Sequence, residues 1–237
     1  MKIGVKTYDD YSFLKHFENK VDFFEVQAIQ KNDYSFLKKL SHKIVIHAEH
    51  QGFGVNLADK SREKFNLKAI NFAKKIADSI NAKKMIFHPG HYHGENISIK
   101  NTINFLKKHN DKRLLAENLP YSWTFSSPKE IKMLLKETKV GFCFDLNHAL
   151  SHAWKNKKNF ERIVKEFLKL NPSHFHIGGQ VFLENNDISH LPLKKSNYEF
   201  LEFLEFYPKN AEITLETTTN IKEVEQDVKL LKKIIKK

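Results

Sequence analysis

Imidazoles and carboxylates recur along this chain in short clusters, each at the end of a β-rich run. His47 is followed by Glu49 and His50, and His88 sits in Phe87-His88-Pro89-Gly90-His91. Glu117 precedes Asn118, and Asp145 closes the run Val140-Gly-Phe-Cys-Phe-Asp145, with His148 three residues on. Later come His174-Phe175-His176, then Asp187 and His190, and finally Leu215-Glu216. Singly, such a group is ordinarily a hydrogen-bonded cap or core residue. Gathered at one point, the carboxylates would repel one another, and burial would raise their pKa unless a cation neutralised them. A mixed imidazole and carboxylate set suits Zn²⁺ or Mn²⁺ better than Mg²⁺ or Ca²⁺. The expected chemistry is therefore metal-assisted, provided the fold brings these groups together.

The elements that would have to do so alternate strictly. Hydrophobic periodicity predicts strands at 2–6, 22–27, 43–48, 83–88, 113–118, 140–145, 173–178 and 212–216. Between and after them it predicts helices at 11–17, 34–40, 60–80, 99–108, 128–137, 160–170, 198–206 and 221–236. Ser127-Pro128 followed by Glu130 marks a helix start with proline in the first turn. Strict alternation implies parallel strands joined by right-handed crossovers. Eight repeats predict an α/β fold of the closed (β/α)₈ TIM-barrel type, with an open doubly wound sheet as the alternative. No G-x-G-x-x-G follows the first strand, which counts against the open sheet. No linker or low-complexity stretch divides the chain, so residues 1–237 read as one domain. The longest non-helical link is 179–196, and long ordered loops tend to be functional. In a barrel of this type the chemistry sits where the strands end, which is where the acids and imidazoles lie.

Composition narrows the setting. No apolar run approaches the ~20 residues of a membrane span, and the chain opens directly on a strand-like segment, so no signal peptide is expected. One cysteine, Cys143 between two phenylalanines, fits a buried structural thiol and a reducing compartment, so a cytoplasmic protein is expected. The net charge of +12 invites polyanion binding. Yet of 40 basic residues only Arg62, Arg113 and Arg162 are arginine, the residue that base reading favours.

The order of strand ends resembles the xylose-isomerase-like barrels, the superfamily that includes the endonuclease IV family of abasic-site DNA repair enzymes. The resemblance rests on Phe87-His88-Pro89-Gly90, on Glu117-Asn118, on Gly141-Phe-Cys143-Phe-Asp145-Leu-Asn-His148-Ala149 and on Leu215-Glu216-Thr217. It implies a cluster of up to three divalent ions. His47, His88 and Glu117 would hold one, and Glu117 would bridge to a second held also by Asp145, His176 and Glu216. His148, Asp187 and His190 would hold the third. Asp187-Ile-Ser-His190 has one residue more than the nuclease motif, His176 lacks the family's acidic and lysine continuation, and the loop after the second strand has no arginine. His50, His91, His93 and His152 are further imidazoles that could replace a named ligand.

Two activities follow from the resemblance. The first is phosphodiester hydrolysis at abasic or damaged sites in DNA, with Glu117, Asp145 and Glu216 as catalytic carboxylates. Rim lysines, Phe53 and Tyr92 would engage a sugar-phosphate backbone. The second is isomerisation or epimerisation of a sugar or sugar phosphate around one ion, with Glu117 and Glu216 moving the proton on opposite faces of the substrate. Glu25, near the end of the second strand, suits the isomerase. Its bland alternative is a surface salt bridge.

Overall fold

The computed structural model describes residues 1–235. The chain runs β1 (Lys2–Thr7), α1 (Tyr11–Phe17), β2 (Phe23–Gln27), β3 (Lys43–His47), α2 (Glu63–Ser79), β4 (Met85–Phe87), α3 (Ile99–Lys108) and β5 (Leu114–Glu117). It continues through α4 (Pro128–Glu137), β6 (Gly141–Asp145), α5 (Leu146–Lys155), α6 (Phe160–Leu168), β7 (His174–Ile177), β8 (Gly179–Phe182), β9 (Asp187–Leu191), β10 (Glu212–Leu215) and α7 (Ile221–Ile235). Eight of the strands close a barrel in the order β1-β2-β3-β4-β5-β6-β7-β10, and every neighbouring pair is parallel. This is the predicted (β/α)₈ barrel. No described helix is long and apolar enough to cross a membrane.

Period two decides which residues look inward. On β2, Phe24 and Val26 join the core between sheet and helices, while Phe23 packs with Val45, Ile86, Leu115 and Cys143 in a separate cluster contributed by five successive strands. That cluster plugs the lower barrel. Gly4 and Gly141 make room for it, because a Cβ at Gly4 would stand 2.3 Å from the Phe23 ring and one at Gly141 2.5 Å from Leu115. One layer higher on the inward faces the residues are Lys6, Glu25, His47, Glu117, Asp145 and His176, with Thr214 between the two levels. The parity that fills the lower barrel with apolar side chains thus delivers polar ones to the mouth.

The structure departs from the predicted elements in four places. Segment 34–40 is a 3-10 turn (Ser35–Lys39), too short for a full α-helical ladder, and Phe200–Phe206 is likewise 3-10. The 179–196 link contains an antiparallel hairpin, β8 and β9, outside the barrel. Between β6 and β7 stand two helices, and α5 is buried along Leu146–Ala153 on every side. Its Leu146, Ala149, Leu150 and Ala153 fall at helical spacing, but buried Asn147, His148, Ser151 and His152 stand between them. The last predicted helical residue, Lys236, lies outside the described residues. Elsewhere the signals hold: Ser127 and Glu130 form a reciprocal capping box at the start of α4.

Candidate metal centre

Three imidazoles converge on one oxygen. His47 Nε2 lies 3.3 Å, His88 Nε2 3.2 Å and His176 Nδ1 3.5 Å from Glu117 Oε2 at the end of β5. Each ring is fixed from behind through its other nitrogen. His47 Nδ1 donates to the Ala48 carbonyl (2.8 Å), His88 Nδ1 meets Gln51 Oε1 (2.9 Å), and His176 Nε2 donates to Glu25 Oε2 (2.9 Å). A carbonyl or carboxylate behind the ring sets the tautomer and leaves a lone pair pointing at the acid. Lone pairs facing carboxylate oxygens at such distances are stable only with a proton or a cation between them.

Beside this group stands a second. One donor atom each from Glu117, Asp145, His176 and Glu216 lies within 4.8 Å of the others, and the same holds for His47, His88 and Glu117. His176 Nδ1 is 3.8 Å from Asp145 Oδ2 and 2.9 Å from Glu216 Oε2. Glu117 Oε1, Asp145 Oδ2, Glu216 Oε2 and His176 Nδ1 are buried atoms without a hydrogen bond. Orphaned polar atoms of this kind are rare in native interiors and call for a missing partner. Four that face one another, of the hard and borderline donor type that divalent ions take, fit a metal ion.

Local sequence explains the aim of Asp145. It ends β6 and is also the N-cap of α5, with Oδ1 accepting from the His148 N–H at 2.7 Å. One oxygen is therefore spent on the helix, and the other points into the mouth. Side-chain amides tie the strand ends together. Asn118 bonds both the N–H and the carbonyl of Asp145, while Asn147 does the same for Gly178. Gln27 reaches the carbonyls of His47 and Ala48.

Charge is unbalanced here. Four carboxylates, Glu25, Glu117, Asp145 and Glu216, face one lysine, Lys6, which bridges Glu216 (2.9 Å) and Glu25 (3.5 Å). Burial opposes the Lys6 charge, but Glu216, Glu25 and Glu117 outweigh it and hold the ammonium protonated. Burial raises the Asp145 pKa, and the charges of Glu117 and Glu216 push the same way. His176, against the pull of burial, is driven well above its usual range by Cys143 and the acids around it. Without a cation, protons must fill the space. Burial pushes the Cys143 thiol up to about 12, as suits an inert core residue.

The structure does not bring together the set His148, Asp187 and His190. His148 Nδ1 donates to the Asn118 carbonyl (2.9 Å) and is 3.2 Å from Glu117 Oε1. His190, in the left-handed region at φ 59°, has its ring centroid 5.8 Å from that of His148 and its Nδ1 3.2 Å from the Glu216 carbonyl. Asp187 turns away, with Oδ1 near Ser151 Oγ (3.3 Å) and Oδ2 accepting from Gln180 (2.6 Å). Of the other imidazoles, His50 stacks on His88 at 5.0 Å, and burial beside His88 and His47 lowers its pKa to about 2, so it is neutral.

Sequence reasoning assigned no role to Lys6 or His174, and it offered Glu25 for the isomerase reading, with a surface salt bridge as the alternative. Glu25 is instead wholly buried, accepting from Thr214 as well as from His176, with His174 Nε2 at 3.2 Å. The signal was available: Glu25 shares inward parity with Phe23, and Lys6 with Gly4. Above these groups opens a cavity of about 410 Å³, lined among others by Lys6, His50, His88, His148, His190 and Glu216. That is within the size range of small-ligand sites.

Comparison with known proteins bears on the fold. The family model for xylose isomerase-like TIM barrels matches residues 24–234. Among solved structures, endonuclease IV from Thermus thermophilus superposes with a TM-score of 0.80 at 15% identity, covering 100% of this chain and 99% of that one. A D-tagatose 3-epimerase-like protein gives 0.75 at 19% identity, covering 100% and 97%. The TTHB071 protein, also from Thermus thermophilus and soaked with ZnCl₂, gives 0.72 at 17% identity, covering 99% and 98%. Identities this low speak for the fold alone. Among curated proteins no sequence matches.

Proposed function

The chain belongs to the xylose isomerase-like TIM barrel family, and from that membership and its mouth geometry we propose a divalent-metal-dependent phosphodiester hydrolase acting on DNA at abasic or damaged sites. The observation that carries this reading is the pair of adjoining donor groups sharing Glu117. An isomerase-type centre needs only Glu117, Asp145, His176 and Glu216. The extra pair His47 and His88, each held from behind and aimed at the shared oxygen, favours two ions side by side.

Divalent ions, Zn²⁺ or Mn²⁺ by the donor set, would supply Lewis acidity to a phosphoryl oxygen and lower the pKa of an attacking water. This chain's residues do the rest. Glu117 spans the two donor groups and fixes their separation. Asp145 and Glu216 complete the deeper group, and Glu25 holds His176 in its ligating tautomer. Lys6, fixed between Glu216 and Glu25, presents an ammonium to the cavity floor where a phosphate's negative charge would rest. His148, its Nδ1–H committed to a carbonyl, lines the same cavity. The epimerase-like neighbour and the facing pair Glu117 and Glu216 support a second reading, proton transfer on a sugar or sugar phosphate around the deeper group alone.

The deciding experiment loads the protein with Zn²⁺ or Mn²⁺ and offers an oligonucleotide bearing one abasic site. Cleavage that Glu117→Gln abolishes supports the hydrolase. Intact DNA with turnover of a ketose or aldose phosphate overturns it in favour of the second reading.

A further inference from the structure

A second cavity, of about 620 Å³, opens beside the mouth between the loops that follow β4 and β5, the start of α4 and the far half of α5. The two cavities share a wall. Pro120 lines the mouth and Tyr121 the second cavity; His148 lines the mouth and His152, one helical turn along α5, the second. No residue of the second cavity takes part in the proposed chemistry.

Its lining is unusual in two respects. Tyr92 and Tyr121 leave 51% and 43% of their surfaces exposed, and Trp123 stands with them, edge-on to the His91 ring at 5.6 Å. His152 is only 6% exposed, yet neither ring nitrogen has a hydrogen bond. Burial lowers its pKa, so the ring is neutral and offers one donor and one acceptor. A buried imidazole with both nitrogens unmet is costly unless a partner meets them, and this ring forms part of the cavity wall.

Exposed aromatic faces take sugars or planar heterocycles. A sugar needs several free carboxylates or amides for its hydroxyls, and in this lining the carboxylate and the amide nitrogen are both engaged. Glu130 accepts from Ser127 and from Tyr92 Oη, and the Asn156 amide is bonded to the His152 carbonyl. A nucleobase needs stacking faces and one or two edge contacts, which is what the cavity offers. Exposed Lys129 adds positive charge for an adjoining phosphate.

We infer that this cavity binds a nucleobase, stacked on Tyr121 and Tyr92 and met at its edge by His152, one nucleotide along from the phosphoester in the mouth. The substrate of the proposed hydrolase, on which the second half of that statement rests, is then a nucleotide chain that presents a base beside the scissile phosphate.

The test uses the two tryptophans. In Trp154→Phe, whose ring keeps the contact with Phe182, Trp123 becomes the sole emitter. The titration is run in the Glu117→Gln background, with AMP as probe and ribose 5-phosphate as control. Saturable quenching by AMP alone, weakened roughly ten-fold or more by Tyr121→Ala and by His152→Ala, is expected. Tyr121 is a surface residue, so its variant separates loss of stacking from loss of fold. Equal quenching by ribose 5-phosphate, or AMP affinity untouched by Tyr121→Ala, overturns the inference. AMP binding by a protein that leaves abasic DNA uncut sinks the hydrolase and spares the base site. Cut DNA with no AMP quenching does the reverse.

Discussion

The two ends of the barrel handle buried charge in opposite ways. At the N-terminal end, Glu212 at the start of β10 is met by Lys43 at 2.6 Å and by Lys84 at 2.7 Å. Arg113 lies between Asp78 at 2.7 Å and Asp111 at 2.8 Å. Each of these acids has a cation, and the arrangement closes the bottom of the barrel. At the C-terminal end four carboxylates share Lys6, and several of their oxygens have no hydrogen bond. A fold that can place lysines to neutralise Glu212 could have placed them at the mouth. The imbalance there marks charge left open for a ligand.

The largest effect that would test this contrast is at Glu117. Replacing it by Gln should lower metal-dependent activity by at least ~10²-fold, as loss of a central acid-base or ligating group does. Elemental analysis should find about two ions per purified wild-type chain, one for each donor group, and fewer in the variant. If the variant binds as many ions as wild type, the mouth is only a structural charge cluster like the bottom.

Next comes Glu25→Gln. It removes the negative charge behind His176 without touching the two donor groups at their converging end. Metal affinity measured by competition with a chelator should fall roughly 10- to 100-fold, as for other partners behind a ligating imidazole.

At the opposite end, Glu212→Gln should leave activity intact and cost about 1–2 kcal/mol in denaturant unfolding, because Lys43 is partly solvated and its pair is screened. Lys43 and Lys84, against the opposing pull of burial, hold the Glu212 pKa down to about 2, below its ordinary 4.5. A carboxylate whose folded pKa is depressed stabilises the fold above its ordinary pKa and loses that contribution as pH falls toward the folded value. Wild type should therefore lose this stability between about pH 4.5 and 2, and Glu212→Gln should show a flatter acid limb.

The smallest effect belongs to Asp187→Asn. Its oxygens are engaged by Ser151 and Gln180, so the variant should keep the ion count of wild type and change activity by less than about three-fold. Loss of an ion would mean that Asp187 swings inward on metal binding, adding a third position with His148 and His190.

Much of this was legible from the chain alone, for identifiable reasons. Strand alternation and the terminal acids and imidazoles carry the barrel, because parallel strands buried on both faces leave continuous apolar runs that stop abruptly at polar ends. His47, His88, Glu117, Asp145, His176 and Glu216 each close or follow such a run, and the structure converges all six. What escaped notice lay outside that logic. Lys6 and His174 sit within strands, where only parity shows that they point inward. The helix α5 carries a short apolar stripe interspersed with buried polar residues, and the β8–β9 hairpin depends on pairing between its own two short arms. Asp187 belongs to that hairpin, which explains why the family resemblance placed it in the mouth and the backbone did not.

The divided carboxyl of Asp145 has one further consequence. Its Oδ1 pins the first turn of α5 while Oδ2 faces the open donors, so occupancy of the mouth and fraying of that turn are thermodynamically linked. The His148 amide is then a built-in gauge of ion loading: its deuterium uptake should slow when Zn²⁺ is added. In Asp145→Asn that response to Zn²⁺ should disappear.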